Sequence, residues 1–339
     1  MSHPFLLRAF FLCMEVSCDI FPGMRAILLA GGFATRLWPL TEKTAKPLLR
    51  IAGKPILSYI VEALPPDIPI IISTNTVFAD DFSQWKKDIR TNRDISIFCE
   101  DTTGEEKKKG ALGAVSLVLD AFGAHDDILV LAGDNLFFFD FSAFLQRANS
   151  NPLLAAYDVR DTQKAKSFGV LVPKDERYVL EFQEKPEHPK STLVSTGALY
   201  FPAHTLSGLQ TYAKKHHDDL GGVFEYFIHH QQPVEYFSFS EAWFDIGCFS
   251  AFLEAQKYIL RGKQMLSGAT TRGRNTYRGS VFLAPGSIVE NSTIENSIIE
   301  TGATLRNATI RNSIIAKNAT VIDAELTGVA LREESFLKG

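Results

Sequence analysis

Ala26-Ile-Leu-Leu-Ala-Gly-Gly-Phe-Ala-Thr-Arg-Leu-Trp-Pro-Leu-Thr-Glu-Lys-Thr-Ala-Lys-Pro-Leu-Leu49 is the stretch whose reading decides the fold. Ala26–Leu29 is apolar without alternation, the pattern of a strand buried on both faces. The run breaks at Gly31-Gly32, and two fixed cations, Arg36 and Lys46, follow. A strand ending in a small-residue turn presents backbone N–H groups that wrap a phosphate, and cations beside it neutralise the charge. The two standard glycine loops do not fit: the stretch has neither G-x-x-x-x-G-K-[ST] nor G-x-G-x-x-G. It reads as a phosphate site that acts on the phosphate as well as holding it.

The surrounding pattern agrees. After the turn, Ile56, Leu57, Ile60, Val61 and Leu64 recur at helical spacing. Residues 68–73 and 95–99 read as strands and 82–89 as a short amphipathic helix. Residues 111–122 read as a helix and 128–132 as a strand. Strands alternating with helices predict a mostly parallel sheet with right-handed crossovers, whose ligands sit beyond the carboxyl ends of the strands. Gly31 and Asp134 both follow strands at that edge. From Pro152 to Ala242 strands dominate (153–159, 169–172, 178–182, 197–201 and 234–239), with helices near 203–215 and 223–230. A closing helix is expected over 249–260.

The opening stretch resembles the signature of the sugar-1-phosphate nucleotidylyltransferases, roughly L-A-G-G-x-G-T-R-L-x-P-L-T followed by K-P-L-L. The chain departs from it at Ala34, where the family has glycine, a residue better suited to unusual backbone angles. The resemblance implies that a sugar-1-phosphate oxygen attacks the α-phosphorus of a nucleoside triphosphate and releases pyrophosphate. Such chemistry depends on positioning and charge neutralisation. It implies that Leu29, Ala30, Gly31, Gly32, Thr35 and Gly110 bind the nucleotide. Arg36 would clamp the departing phosphates and Lys46 bear on the α-phosphate. As isolated residues, both cations would read as surface charges after a turn.

Further motifs extend the resemblance. Ile128-Leu-Val-Leu-Ala-Gly-Asp-Asn135 ends a strand in a carboxylate, and Trp243-Phe-Asp-Ile-Gly247 supplies a second. Asp134 and Asp245 match the family's Mg²⁺ ligands, hard oxygens for a cation that bridges phosphates. Gln183-Glu-Lys-Pro186 resembles the family's E-K-P, which implies Lys185 on the sugar's phosphate and Glu184 on sugar hydroxyls. A lone Glu-Lys pair would be a solvated ion pair of little worth. Gly169 and Ser195 flank that tetrad as sugar contacts. Gly110-Ala-Leu-Gly-Ala114 resembles the G-T-A-x-A helix start that passes the nucleobase. Thr102–Lys109 matches no base-selective variant. The substrate expectation is glucose- or mannose-1-phosphate with a thymidylyl or guanylyl donor.

The bulk numbers set limits. A chain of 339 residues with net charge −4 and 45% hydrophobic residues holds one large and one smaller domain. No basic block or aromatic-basic interleaving suggests nucleic acid, and no stretch reads as a membrane span. Cys13, Cys18, Cys99 and Cys248 have neither metal-ligand nor disulfide spacing, which fits a reducing cytoplasm. Residues 1–23 read as an N-terminal extension ahead of Met24, where the family's chains typically begin. The nucleotidyltransferase domain is expected over 24–262.

Residues 263–280, rich in Gly, Thr, Arg and Ser, read as a linker. Beyond it, Ile288, Ile294, Ile299, Leu305, Ile310, Ile315 and Val321 recur every five or six residues, with Asn and small residues between. That hexapeptide-like period predicts a parallel β-helix over 281–339. The sequons at Asn291, Asn307 and Asn318 follow the period and read as corners instead of glycan sites. A segment this short favours a partner surface, hence a homo-oligomer. The fold class expected is therefore α/β: a Rossmann-like, mostly parallel sheet followed by a short left-handed parallel β-helix. Two alternatives remain beside the enzyme. A non-catalytic subunit of the same fold would tolerate loss of Arg36, Lys46, Asp134 or Asp245, yet all four are present. A second, acyl-transferring activity in the β-helix would want a His base, and none occurs after His230.

Overall fold

A computed structural model describes residues 23–102, 104 and 109–339. The expected N-terminal extension lies outside the described residues apart from Gly23, as do Cys13 and Cys18. Strand Met24–Leu29 sits inside a nine-stranded sheet, with Asp127–Ala132 on one side and Ile70–Asn75 on the other, both parallel to it. Ile95–Glu100 extends the parallel half beyond Ile70–Asn75. Past Asp127–Ala132 the pairing turns antiparallel through Leu193–Phe201, which also pairs Leu153–Asp158 and Gly169–Pro173. The parallel sheet read from the alternation is thus the first half of a mixed one.

Both faces of the sheet are covered, which is why its central strands lack alternation. Ala26 and Leu28 point to one core with Ile56, Leu57, Ile60, Phe82 and Phe252, whereas Ile27 points to the other with Leu112, Val115, Leu209 and Phe224. Helix Ala111–Phe122 and helix Phe249–Leu260 have the bounds the sequence predicts. The segment expected as helix 203–215 divides into a 3₁₀ turn, Ala203–Thr205, and helix Leu206–Ala213.

The C-terminal strands stack in three parallel sheets, a left-handed parallel β-helix. The linker expectation is corrected by pairing: Gln264–Leu266, Thr270–Arg272 and Thr276–Arg278 hydrogen-bond in parallel to the three strands that follow them. Their Gly, Thr and Arg composition belongs to an exposed first coil. The inward aliphatic is Val289 and not Ile288, so core positions Val289, Ile294, Ile299 and Leu305 follow steps of five, five and six. Two tight corners and one wider corner give a coil of sixteen residues, the spacing at which Ser292 Oγ accepts from Ala308 N–H.

Asn291, Asn296, Asn307, Asn312 and Asn318 all have positive φ, from 44° to 58°. They are corner residues, as the period implies, and Asn accepts that conformation more readily than most. The β-helix is not a free appendage. Phe282, Ile298 and Ile314 join the core of the first domain, and a Cβ at Gly53 would lie 3.0 Å from the Phe282 ring.

Candidate active site

The Gly31-Gly32 turn leaves the sheet at the carboxyl end of the central strand. Ala30 N–H donates to Ser73 O, and Asn75 Nδ2 donates to Gly31 O at 2.8 Å, fixing the turn's exit. Among the described residues, and apart from its chain neighbours, no atom lies within 4 Å of a Cβ placed at Gly32, so the turn is open on that side. Ala34 adopts φ 49°, ψ 46°, the left-handed conformation for which the signature's usual glycine is suited. The chain holds it with Thr41 Oγ1 and Leu37 N–H, both donating to Ala34 O.

Two distant segments meet next to the turn. Asn135–Phe137 and Trp243–Asp245 form an antiparallel ribbon in which Asp245 pairs with Asn135 and Ile246 N–H donates to Asp134 O. This ribbon brings Asp134 and Asp245 together. Asn135 braces it by donating to Asp134 Oδ1 and accepting from Trp243 Nε1 at 2.7 Å. Burial, then the Asp134 charge, pushes the Asp245 carboxyl above its ordinary range, while Lys46, Arg36 and Lys185 pull it down. Four of the predicted charged residues therefore act on Asp245. Lys46, only 8% exposed, contacts Asp134 Oδ2 at 2.5 Å, so in this state a lysine neutralises that carboxylate.

A cavity of about 350 Å³ is lined by Leu29, Ala30, Gly31, Gly32, Gly110 and Asp134, among others. Arg36 and Lys46 share its wall, whereas Thr35 lies outside the lining. Gly110 precedes helix Ala111–Phe122 with φ 72°, and a Cβ there would lie 2.4 Å from His217 O. Gly113 N–H donates to the same carbonyl. The loop before helix Gly222–His229 thus packs against the start of helix Ala111–Phe122.

Glu184 ends strand Val179–Glu184 and Lys185 follows it, and their charged atoms lie 3.3 Å apart as an exposed ion pair. A Cβ at Gly169 would lie 3.2 Å from Glu184 Oε2, and one at Gly221 only 2.3 Å from it. Glu184 is therefore seated between two glycines, one predicted and one not. Lys185 has φ 43°, and its N–H donates to Phe168 O. Ser195 lies on strand Leu193–Phe201, which is separated from Val179–Glu184 by Gly169–Pro173, opposite Ala156 and next to the Val194–Val170 pair.

Sequence reasoning missed Asn75, Glu100, Asn135, Gly221 and Trp243. Asn135 and Trp243 stand inside quoted motifs, and the Gly221-Gly222 pair directly precedes a predicted helix, so those three carried a signal. Asn75 and Glu100 are ordinary strand-end residues whose importance comes from the register that places them beside Gly31.

Asp134 and Asp245 fit a Mg²⁺ ion, which takes one or two carboxylates plus substrate phosphate oxygens and needs no larger protein cage. Among the described residues no cluster of three or more His, Cys, Asp or Glu side chains has metal-binding form.

An open glycine turn at a strand's carboxyl edge, two cations and a pair of carboxylates meet at one cavity of an α/β sheet. Residues 25–262 match the family model described as nucleotidyl transferase, and the chain belongs to that family. It is 31% identical over 242 residues to the bifunctional protein GlmU of Methanocaldococcus jannaschii, covering 70% of this chain and 54% of that protein. It is 27% identical over 299 residues to glucose-1-phosphate adenylyltransferase of Lachnospira eligens, covering 82% and 70%. The chain spans about half the length of the first of these relatives. A Bacillus anthracis protein crystallised with sucrose shares the fold, with TM-score 0.59 and 24% identity over 69% of this chain and 94% of that one.

Proposed function

We propose that this protein transfers a nucleotidyl group from a nucleoside triphosphate to a sugar-1-phosphate, with release of pyrophosphate. Glucose- or mannose-1-phosphate is the favoured acceptor, and the donor is dTTP or GTP, giving a thymidylyl or guanylyl transfer. The observation that carries this reading is the ribbon joining Asp134 to Asp245, with Lys46 on the same cluster and the Gly31-Gly32 turn beside it.

The steps balance as one substitution. An oxygen of the sugar's phosphate attacks the α-phosphorus, the new P–O bond forms, and the α–β bridging P–O bond breaks. The backbone of Leu29 to Gly32, with Thr35 and Gly110, receives the nucleotide. Arg36 meets the leaving β- and γ-phosphates, because its planar fork suits paired phosphate oxygens. Lys46 exchanges Asp134 for the α-phosphate, where negative charge gathers in the transition state. Glu184 accepts from adjacent sugar hydroxyls, Lys185 holds the sugar's phosphate, and Gly169 and Ser195 complete that side. Mg²⁺ held by Asp134 and Asp245 would supply charge neutralisation for the triphosphate. The β-helix supports assembly into a homo-oligomer, a proposal that sedimentation of the full chain checks directly: a strict monomer would reject it.

The test is a pyrophosphate-release screen of the five common nucleoside triphosphates against glucose-, mannose- and N-acetylglucosamine-1-phosphate with Mg²⁺. Release with at least one pair is expected. No release from any pair would sink the reading.

A further inference from the structure

The cavity beside the glycine turn contains one group that phosphate chemistry leaves unused. Glu100 ends strand Ile95–Glu100 and is 7% exposed. Its carboxylate abuts the turn, since a Cβ at Gly31 would lie 3.3 Å from Glu100 Oε1. It accepts a hydrogen bond from Ser73 Oγ at 2.9 Å, and it lines the same cavity as Gly31, Gly110 and Lys109. Burial raises the carboxyl's pKa, while the Ser73 hydroxyl and the Lys109 charge hold it down and favour the ionised form.

A carboxylate repels a triphosphate, so the part of the ligand it faces carries N–H donors. A buried carboxylate is also costly unless its remaining lone pairs are met. Ser73 meets one of roughly four acceptor sites. Close by in the chain, Thr102 is 1% exposed and lines the cavity, and its Oγ1 has no hydrogen-bond partner among the described residues. The wall therefore offers two acceptors and one hydroxyl able to donate.

On the proposal that this cavity takes a nucleoside triphosphate, we infer that Glu100 and Thr102 make it select guanine. Guanine presents N1–H and the N2 amino group side by side, the two donors a carboxylate can accept together, with O6 next to them for the Thr102 hydroxyl. Uracil and thymine present one N–H flanked by two carbonyls, which face the carboxylate oxygens with like partial charge. Adenine and cytosine present one amino group beside a ring nitrogen acceptor, so one carboxylate oxygen would be left against a lone pair. A site built to accept two hydrogen bonds discriminates strongly against a base that can give only one.

The experiment is titration calorimetry of the full chain with Mg²⁺ complexes of GTP, dTTP, UTP, ATP and CTP, repeated on Glu100→Gln and Thr102→Val. The wild type is expected to bind GTP at least about tenfold more tightly than any other, the discrimination of one good bidentate contact. Glu100→Gln replaces one acceptor by a donor, the complement of the N3–H and O4 edge of uracil and thymine. That variant is expected to lose the GTP preference and gain affinity for UTP or dTTP, a reversal that a merely structural role would not produce. Thr102→Val is expected to weaken GTP several-fold and leave CTP unchanged. A wild type that prefers another triphosphate overturns the inference and leaves the nucleotidyl-transfer proposal standing, as does an unchanged GTP preference in Glu100→Gln. Absence of binding by all five triphosphates removes both.

Discussion

Gly110→Ala offers a stringent test of how the two halves of the site are coupled. Gly110 has φ 72°, ψ 164°, a backbone region essentially confined to glycine, which costs another residue about 1–3 kcal/mol. An added Cβ would also stand 2.4 Å from His217 O and 2.6 Å from Asp218 Cα, where real Cβ contacts essentially never fall below 3.0 Å. The opposing backbone must withdraw by roughly 0.6 Å to restore a tolerable separation, since neither atom belongs to a side chain that can rotate away. That backbone leads to Asp218 and Leu220 in the cavity wall and then to Gly221 against Glu184. A shift approaching 1 Å at substrate-positioning residues costs up to about 10²-fold. We expect kcat/KM to fall about 10–100-fold and the melting temperature to drop by several degrees. Gly113→Ala is the control: it lies three residues on, is helical, and its nearest neighbour would be the His217 Cβ at 3.3 Å. It should change kcat/KM less than about threefold, because only a small adjustment is needed. Both variants are assayed by continuous pyrophosphate release, with circular dichroism reporting the fold. Indistinguishable kinetics for the two variants would refute the coupling.

Asp134→Asn and Asp245→Asn should each abolish Mg²⁺-dependent pyrophosphate release while leaving the circular dichroism spectrum intact; full turnover in either removes the metal assignment. Phe282→Ala should destabilise the whole chain by about 3–5 kcal/mol in denaturant titration, since the ring is buried between the two domains; a loss confined to the C-terminal strands would contradict that packing. Burial lifts the Glu300 carboxyl to about 7. A raised acid stabilises the fold below the unfolded value and loses that contribution as pH rises from the ordinary value of 4.5 towards 7. Glu300→Gln should therefore gain up to about 2–3 kcal/mol over the wild type at pH 8 and little at pH 4.5. Equal wild-type-to-mutant differences at the two pH values would show that Glu300 is not the titrating group.

The sequence carried the fold wherever one periodicity ruled. Continuous apolar runs marked the central strands because both their faces are covered, and a single aliphatic per side marked the β-helix. It misled where a local composition had two meanings. Residues 263–280 look like a linker because the first coil of a β-helix has no coil below it to bury its polar side chains. Ile288 looked inward because it and Val289 are both β-branched, and only the register separates them. Within the candidate site, residues in contiguous motifs were legible and those brought together by pairing were not. Nothing in the sequence around Cys99 says that residue 100 abuts Gly31, because that contact depends on two parallel strand registers. Likewise the contact of Lys46 with Asp134 joins segments that are 88 positions apart.

The corner asparagines of the β-helix impose a rule on how this protein can change length. Each left-handed corner stacks on its equivalent in the next coil, as when Asn307 Nδ2 reaches Asp323 Oδ1 sixteen positions on. Insertions of one or a few residues would rotate every later side chain out of phase, exchanging core aliphatics for solvent-facing threonines. An inserted block of sixteen keeps every rail aligned and adds only nearest-neighbour contacts. The first domain docks through Phe282, Ile298 and Ile314, with Ala330 packed on the same core and Arg332 paired with Glu42, so only coils added beyond that last contact would leave the docking unchanged. Length in this part of the molecule is therefore quantised in coils of sixteen.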